Sequence, residues 1–201
     1  RAAGDPGLLA RALHVLGLGR SQLGRLGPAV DALHRAGEIY RRIGNDLGRS
    51  HVADSLGTAY AQHGRIEDSL HCYALSLAEK AVLGDRRGLA VTIGNLGRLE
   101  LRAGRYRAAI RYFERDLALA EDLGDEHGRA RMLEDLGRAW AGLEEDVRAE
   151  AAFAACREIA ARRGFPDLTF FSHLDLAALR LRQGRIEEAA AELDAAQAAG
   201  L

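Results

Sequence analysis

The sequence is poor in cysteine, proline and aromatic residues, and it has no long apolar run. Its 201 residues include two cysteines, three prolines and 5% aromatic side chains. Cys72 and Cys156 are far apart and form no C-x-x-C motif, which argues against a disulfide-stapled secreted domain and favours a reducing, cytoplasmic location. No apolar run approaches the roughly 18 residues that span a bilayer, so the sequence predicts no membrane segment.

Charge of one sign is also missing. The 28 Lys and Arg residues nearly balance the 29 Asp and Glu residues, for a net charge of −1, and Lys80 is the only lysine. Without a basic block, neither nucleic acid nor an anionic membrane is expected as the main partner. Small apolar residues are abundant instead. A hydrophobic content of 48% with few aromatics favours packed helices over strands.

Three glycine-containing markers recur every 40 residues. A Leu-Gly pair starts at positions 16, 56, 96 and 136, and Leu176-Ala177 is a degenerate fifth copy. A Gly-Arg pair follows eight residues later at positions 24, 64, 104 and 184, and a third glycine recurs at positions 44, 84, 124 and 164. We therefore expect a single array whose repeats span approximately 5–44, 45–84, 85–124, 125–164 and 165–201.

Each period has the apolar spacing of two helices. In the second period this spacing predicts one helix over Ser50–Gln62 and another over Ile66–Leu83. Gly64 is expected to end the first of these in a left-handed conformation, and Asp85 to cap the helix that follows. Gly57 lies inside a predicted helix, where glycine costs about 1 kcal/mol relative to alanine. Its recurrence predicts that the backbone of a neighbouring helix passes close by.

The spacing around the Leu-Gly pairs resembles the tetratricopeptide repeat (TPR). In that family Leu-Gly-x2-aromatic is followed by Ala-x3-aromatic. Here Leu136-Gly137 is followed by Trp140, and then by Ala149 and Phe153. The resemblance covers all five periods. It implies an all-α fold, a right-handed TPR solenoid of five helix-turn-helix repeats with about ten helices.

The repeat is longer than the usual 34 residues and lacks the proline that normally ends the second helix. A longer second helix that ends at the Gly-Asp loop accounts for both differences. This long version resembles the TPR arrays of cell-polarity scaffolds, of kinesin light chains and of actinobacterial transcriptional regulators of the SARP and NB-ARC type. The arginine-rich composition favours the last group. HEAT repeats share the length but lack the Leu-Gly and Ala-x3-aromatic spacing.

The resemblance implies a non-catalytic module that binds a protein or peptide segment, or another domain of the same chain. It places the first helices of successive repeats along a concave groove. Alignment with the family selects these groove positions for ligand binding: Arg11, His14, His51, Asp54, Asn95, Arg98, Arg102, Arg131, Glu134, Arg138, Phe171 and Asp175. Asn95 matches the asparagine with which family members hold a peptide backbone, although one repeat of the five has it.

Four of these positions are arginines of the third and fourth repeats: Arg98, Arg102, Arg131 and Arg138. Because guanidinium groups bind carboxylates well, we expect an acidic segment in the ligand. The alternative is a solvated face of mixed charge, because Glu134 and Asp135 are spaced to pair with these arginines along a helix. On the first interpretation, replacing Arg98 and Arg138 by Glu abolishes partner binding without unfolding the chain.

No pattern in the sequence predicts catalysis, a metal or a cofactor. The seven histidines form no His-Glu-x-x-His motif, and neither cysteine has an evident base nearby. The glycines between positions 17 and 27 follow no strand, so they do not predict a phosphate loop. The acidic run at positions 144–146 is expected to be a solvated helix start rather than a calcium loop. An enzyme is therefore the least favoured class.

The two ends of the array suggest contacts beyond it. Phe165, Phe170 and Phe171 gather in the last repeat, and the final residues are mostly alanine rather than the polar residues of a capping repeat. Gly4-Asp5 matches the loop that follows a preceding repeat. We expect the array either to continue in a longer protein or to form a homo-oligomer through an end repeat. The alternative to groove binding is thus an oligomerisation or scaffold array with no specific groove ligand.

Overall fold

A computed structural model describes residues 5–199, and ten α-helices joined by short loops make up this part of the chain. The helices are α1 (Pro6–Gln22), α2 (Leu26–Arg42), α3 (Asp46–Gln62), α4 (Ile66–Leu83), α5 (Arg86–Arg102), α6 (Tyr106–Leu123), α7 (Glu126–Gly142), α8 (Asp146–Arg163), α9 (Pro166–Arg182) and α10 (Ile186–Ala199). The fold is the predicted all-α, TPR-like solenoid of five helix-turn-helix repeats. The two helices predicted for the second repeat are confirmed, and α3 begins four residues earlier than predicted.

Helix ends follow from the recurring polar and glycine markers. The side chains of Asn45, Asp85 and Asp125 each accept a hydrogen bond from the backbone N–H three residues later, at 2.8–2.9 Å. These caps satisfy a backbone donor that the first helical turn leaves without a partner. The predicted cap at Asp85 is therefore confirmed. Asp5 also caps its helix, whereas Gly4 lies outside the described residues.

The turn between α7 and α8 departs from the other turns within repeats. Gly64 occupies the left-handed region in the second repeat, with φ of +73°, as predicted. At the equivalent position in the fourth repeat stands Glu144, with φ of +61°. A residue with a Cβ is strained in this region, which glycine enters freely. The acidic run is mostly exposed, and Asp146 accepts hydrogen bonds from Arg182 and Gln183.

The glycine of each Leu-Gly pair makes room chiefly for a side chain of the second helix. The predicted close backbone is found at Gly17, where a Cβ would lie 3.2 Å from the carbonyl oxygen of Ala29. A Cβ at Gly57 would lie 2.7 Å from the ring of Tyr73, and one at Gly137 would lie 2.4 Å from the ring of Phe153. Both aromatic residues come sixteen positions later, on the second helix of the same repeat. The ring thus packs against the glycine at a distance that leaves no room for a Cβ.

The chain divides into two compact units, unit 1 up to Leu96 and unit 2 from Gly97. In unit 1 the core includes Leu33, Tyr40 and Val52, from α2 and α3. In unit 2 one core cluster surrounds Phe113 and Met132, and others join α8 to α7 and α9. Each unit therefore buries apolar stripes between successive helices, which leaves polar positions of the first helices at the surface.

Candidate functional site

The first-helix face is defined as the surface formed by the predicted groove positions, and in unit 1 several of its polar side chains are hydrogen-bonded to one another. The Nε2 atom of His14 lies 2.7 Å from the Oγ atom of Ser55, and Ser21 Oγ donates to Gln62 Oε1 at 2.8 Å. Burial lowers the pKa of His14, and the nearby His51 lowers it further. These surroundings therefore favour the neutral form of His14.

Asp54 belongs to a buried polar cluster beneath this face. The Lys80 side chain is only 1% exposed, and its Nζ forms an ion pair with Asp54. Lys80 Nζ also donates to Thr92 Oγ1 at 2.9 Å and to the Gly88 carbonyl oxygen at 3.2 Å, while Thr92 Oγ1 donates to Asp54 Oδ1 at 2.8 Å. The carboxylate predicted to face a ligand therefore neutralises the only lysine of the chain. A role for Asp54 in binding stays a prediction.

In unit 2 two arginines of the first-helix face, Arg98 and Arg138, pair with acids of the next repeat. Arg98 Nη1 donates to Asp135 Oδ2 at 3.0 Å, and Arg138 Nε donates to Asp175 Oδ2 at 2.8 Å. Arg138 Nη2 also donates to Glu134 Oε1 at 2.7 Å. The alternative that the sequence left open, internal pairing of these charges, is thus present in the structure. The pairs hold the guanidinium groups in fixed orientations.

A pocket of about 380 Å³ opens on this face. It is lined by Arg98, Arg131, Glu134, Asp135, Arg138, Asp167, Leu168 and Phe171. Five of the predicted site residues meet there, and Asp175 instead lines a smaller pocket beside Arg138. Arg102 is exposed and lines neither of these pockets. The prediction missed Leu168, although it stands where the second, third and fourth repeats have glycine.

Phe171 and Arg131 are the pocket residues with unused binding capacity. Phe171 is 45% exposed, and its ring contacts Phe170 edge-to-face at 5.3 Å. The Nε atom of Arg131 is buried, and no hydrogen-bond acceptor within residues 5–199 reaches it. A buried donor without a partner is costly, so a movement of the Arg131 side chain that brings Nε to an acceptor would be favoured.

One carboxyl group of the pocket, and a second that interacts with two of its arginines, have raised pKa values. Burial raises the pKa of Glu134 to about 7, although Arg138 opposes the shift. Burial likewise raises the pKa of Asp116 to about 6, against the effect of Arg131 and Arg98. Desolvation disfavours the charged form of a carboxyl group. The charge of this region therefore changes near neutral pH.

Replacing Glu134 with Gln should remove part of the pH dependence of stability. The pKa of Glu134 is about 7 in the folded chain and 4.5 in the reference state, so the folded state holds this proton more tightly. The bound proton therefore contributes to the free energy of unfolding, and this contribution is complete below pH 4.5. It is lost as the pH rises through 7, which lowers the free energy of unfolding by about 3 kcal/mol. We expect urea unfolding at pH 4–8 to show this loss in the wild type and not in Glu134→Gln. Equal pH profiles would contradict the assignment.

Neither cysteine has the lowered pKa of a reactive thiol. Cys72 and Cys156 are free and buried, and burial raises their thiol pKa values to about 11 and about 12. Such thiols stay protonated and unreactive, as structural cysteines do. Within residues 5–199 there is no group of three or more His, Cys, Asp or Glu side chains placed to hold a metal ion. In the same part of the chain, no helix combines the length and hydropathy of a transmembrane span.

No protein-family model matches the chain, and no curated protein sequence matches it. Solved structures do share its fold. BtubC from P. vanneervenii is 20% identical with a TM-score of 0.81, over 96% of this chain and 80% of that one. TPR-like repeats of a putative kinesin light chain from Podosopora anserina are 19% identical with a TM-score of 0.75, over 98% and 97%. A Rap protein in complex with the competence and sporulation factor is 13% identical with a TM-score of 0.82, over 96% of this chain and 54% of that one. The chain thus has a TPR-type fold.

Proposed function

We propose that this chain is a non-catalytic module that binds a protein or peptide segment on its first-helix face. We further propose that it serves as a regulatory or sensor domain of a bacterial transcriptional regulator in the cytoplasm. The observation that carries the proposal is the pocket of unit 2, where an exposed aromatic ring lies beside an arginine with an unused donor. Aromatic rings and arginine are the residue types that dominate binding energy in protein interfaces.

The ligand segment presents a carboxylate to Arg131 and an apolar side chain to Phe171. Arg98 and Arg138 are already paired with Asp135 and Asp175, so their side chains are held in fixed positions at the border of the pocket. They therefore do not bind the carboxylate of the ligand. A preformed site of this kind loses little conformational entropy on binding. Rap proteins of the same fold, which were crystallised with peptides, support a peptide ligand.

The test compares the wild type with the double variant Arg131→Gln, Phe171→Ala. Proteins that bind the wild-type chain are captured from a lysate of the source organism, and the bound segment is mapped and synthesised as a peptide. We expect the double variant to bind this peptide at least about tenfold more weakly in fluorescence anisotropy. Arg102→Gln is the matched control, because Arg102 is an exposed arginine of the same unit outside the pocket.

Two results would overturn the proposal. Equal affinity for wild type and double variant would place the binding surface elsewhere. Unchanged binding of a peptide whose acidic residues are replaced by amides would show that no carboxylate of the ligand contributes to binding. A chain that captures only further copies of itself would favour the oligomerisation alternative.

A further inference from the structure

The outer row of α4, defined as Leu75, Glu79 and Val82, breaks the 40-residue pattern of the other repeats. Leu75 is 48% exposed and Val82 is 89% exposed. The positions equivalent to Leu75 are Arg35, Arg115, Ala155 and Ala195, and those equivalent to Val82 are Arg42, Asp122 and Arg162. Large apolar side chains thus face solvent on this second helix where the other second helices carry charged or small ones. Such a local apolar surface typically marks an interaction site.

Glu79 is charged where the other repeats have apolar residues, because the equivalent residues are Ile39, Leu119, Ile159 and Ala199. Its Oε1 atom accepts a hydrogen bond from Arg49 Nε at 2.8 Å. Its Oε2 atom is buried, and no donor within residues 5–199 reaches it. A side-chain movement that brings this oxygen to a donor would therefore gain a hydrogen bond.

Two cavities flank this carboxylate. The first, of about 360 Å³, lies between α2 and α4 and has Val52, Leu56 and Leu75 among its apolar walls. The second, of about 250 Å³, is formed by α3 and α4 and includes Val82. The ion pair of Arg49 and Glu79 belongs to the walls of both. We call these two cavities, together with the outer row, the α4 groove.

The spacing of the α4 groove fits another helix. Leu75 and Val82 are seven residues apart, which is about 10 Å along a helix. A second helix lying along α4 would place residues i and i+7 at the same separation on one face, with residue i+3 or i+4 between them. A matching helix therefore needs two large apolar residues with a hydrogen-bond donor in the middle.

One face of α1 has this pattern. Leu8 and Val15 are seven residues apart and are 57% and 69% exposed, and Arg11 between them is exposed as well. Residues 6–22 contain no Asp or Glu, so no carboxylate of α1 would repel Glu79. α10 has the same apolar spacing at Ile186 and Leu193 but only alanines between them at the central positions. α10 therefore lacks the donor.

We propose that the α4 groove binds α1 of a second copy of this chain, with Leu8 and Val15 in the two cavities and Arg11 paired with the carboxylate of Glu79. The contact is heterologous, because a face of α1 meets a different face on the partner copy. It goes beyond the proposed function, since it lies outside the pocket of unit 2. Burial of four exposed apolar side chains drives the association, and the charged hydrogen bond fixes its register.

The test uses two variants that each lose one side of the contact. Leu75→Arg, Val82→Arg restores residue types found in the other repeats, and Leu8→Glu, Val15→Glu changes only exposed positions of α1. In sedimentation velocity from about 5 to about 500 µM, we expect the wild type to associate and each variant alone to stay monomeric. An equimolar mixture of the two variants should form a heterodimer, because one variant retains α1 and the other retains the α4 groove.

The polar part of the contact is measured with the two full-length variants, by titrating the labelled Leu75→Arg, Val82→Arg chain, which retains α1, with the Leu8→Glu, Val15→Glu chain, which retains the α4 groove. We expect addition of Arg11→Met to the labelled chain to weaken binding at least about tenfold. This disadvantage should disappear when the other chain carries Glu79→Ile. A monomeric wild type at the highest concentration, association that survives in both variants, or a mixture that stays monomeric would each overturn the proposal. Circular dichroism confirms that every variant is folded.

Discussion

Replacing Lys80 with methionine should lower the free energy of unfolding by about 3–5 kcal/mol. The ammonium group is buried against Asp54 and Thr92, and methionine fills similar space but supplies no charge. The carboxylate of Asp54 would be left without its cation in a largely buried position, which is the costly result of removing one partner of a buried pair. Urea unfolding followed by far-UV circular dichroism measures the loss.

The double variant Lys80→Met, Asp54→Leu is the control for this prediction. It removes both charges, and leucine already stands at the equivalent position of the last repeat, Leu174. Replacement of a buried ion pair by apolar residues is often close to neutral, so we expect most of the lost stability to return. A double variant as unstable as Lys80→Met would show that the unpaired carboxylate is not the cause.

Arg138→Glu should destabilise unit 2 by about 4 kcal/mol. Arg138 lies within 4 Å of three carboxylates, those of Glu134, Asp135 and Asp175. The substitution removes their shared cation and adds a fourth carboxylate. Trp140, the only tryptophan, packs in the same unit and reports unfolding by its fluorescence. The structure therefore predicts that the Arg98→Glu, Arg138→Glu chain loses ligand binding through unfolding.

The matched control is Arg102→Glu. Arg102 is an exposed arginine outside the pocket, so we expect its charge reversal to change stability by less than about 0.5 kcal/mol. If the two reversals had equal effects, the buried carboxylates around Arg138 would carry no special cost. Arg131→Gln and Phe171→Ala test binding better than the charge reversals, because both leave these ion pairs in place.

Much of the fold could be predicted because the repeat fixes the helix ends. Glycine and its polar neighbour recur in register, and each stops one helix and caps the next through its own backbone and side chain. These are local interactions, so the residues that make them are close in sequence. The reason for Gly57 was missed because its neighbour, Tyr73, belongs to the other helix of the repeat. The sequence does contain a signal for this contact, because an aromatic residue follows the glycine of the Leu-Gly pair by sixteen positions in several repeats.

The candidate site was less predictable because its contacts join different repeats. The arginines of the first-helix face could be identified from the sequence. Their carboxylate partners, however, lie 37 residues later, and spacing within one helix cannot predict such a contact. The sequence distinguished Lys80 only as the single lysine. Comparison with Tyr40, Ala120 and Ala160 at the same register would have shown a charge in an otherwise uncharged position. The same comparison identifies Glu79, so departures from the repeat are more informative than the repeat itself.

The burial of Lys80 makes the chain an unusual target for amine-directed chemistry. Acylating reagents, cross-linkers and enzymes that join proteins through lysine find only one ε-amino group in the sequence, and it is enclosed by Asp54, Thr92 and the Gly88 carbonyl. That amine can react only when α4 separates from its neighbours. Its acylation rate, followed by mass spectrometry, therefore measures local opening of unit 1 in the unmodified protein. The same chemistry would leave both proposed binding surfaces free of label.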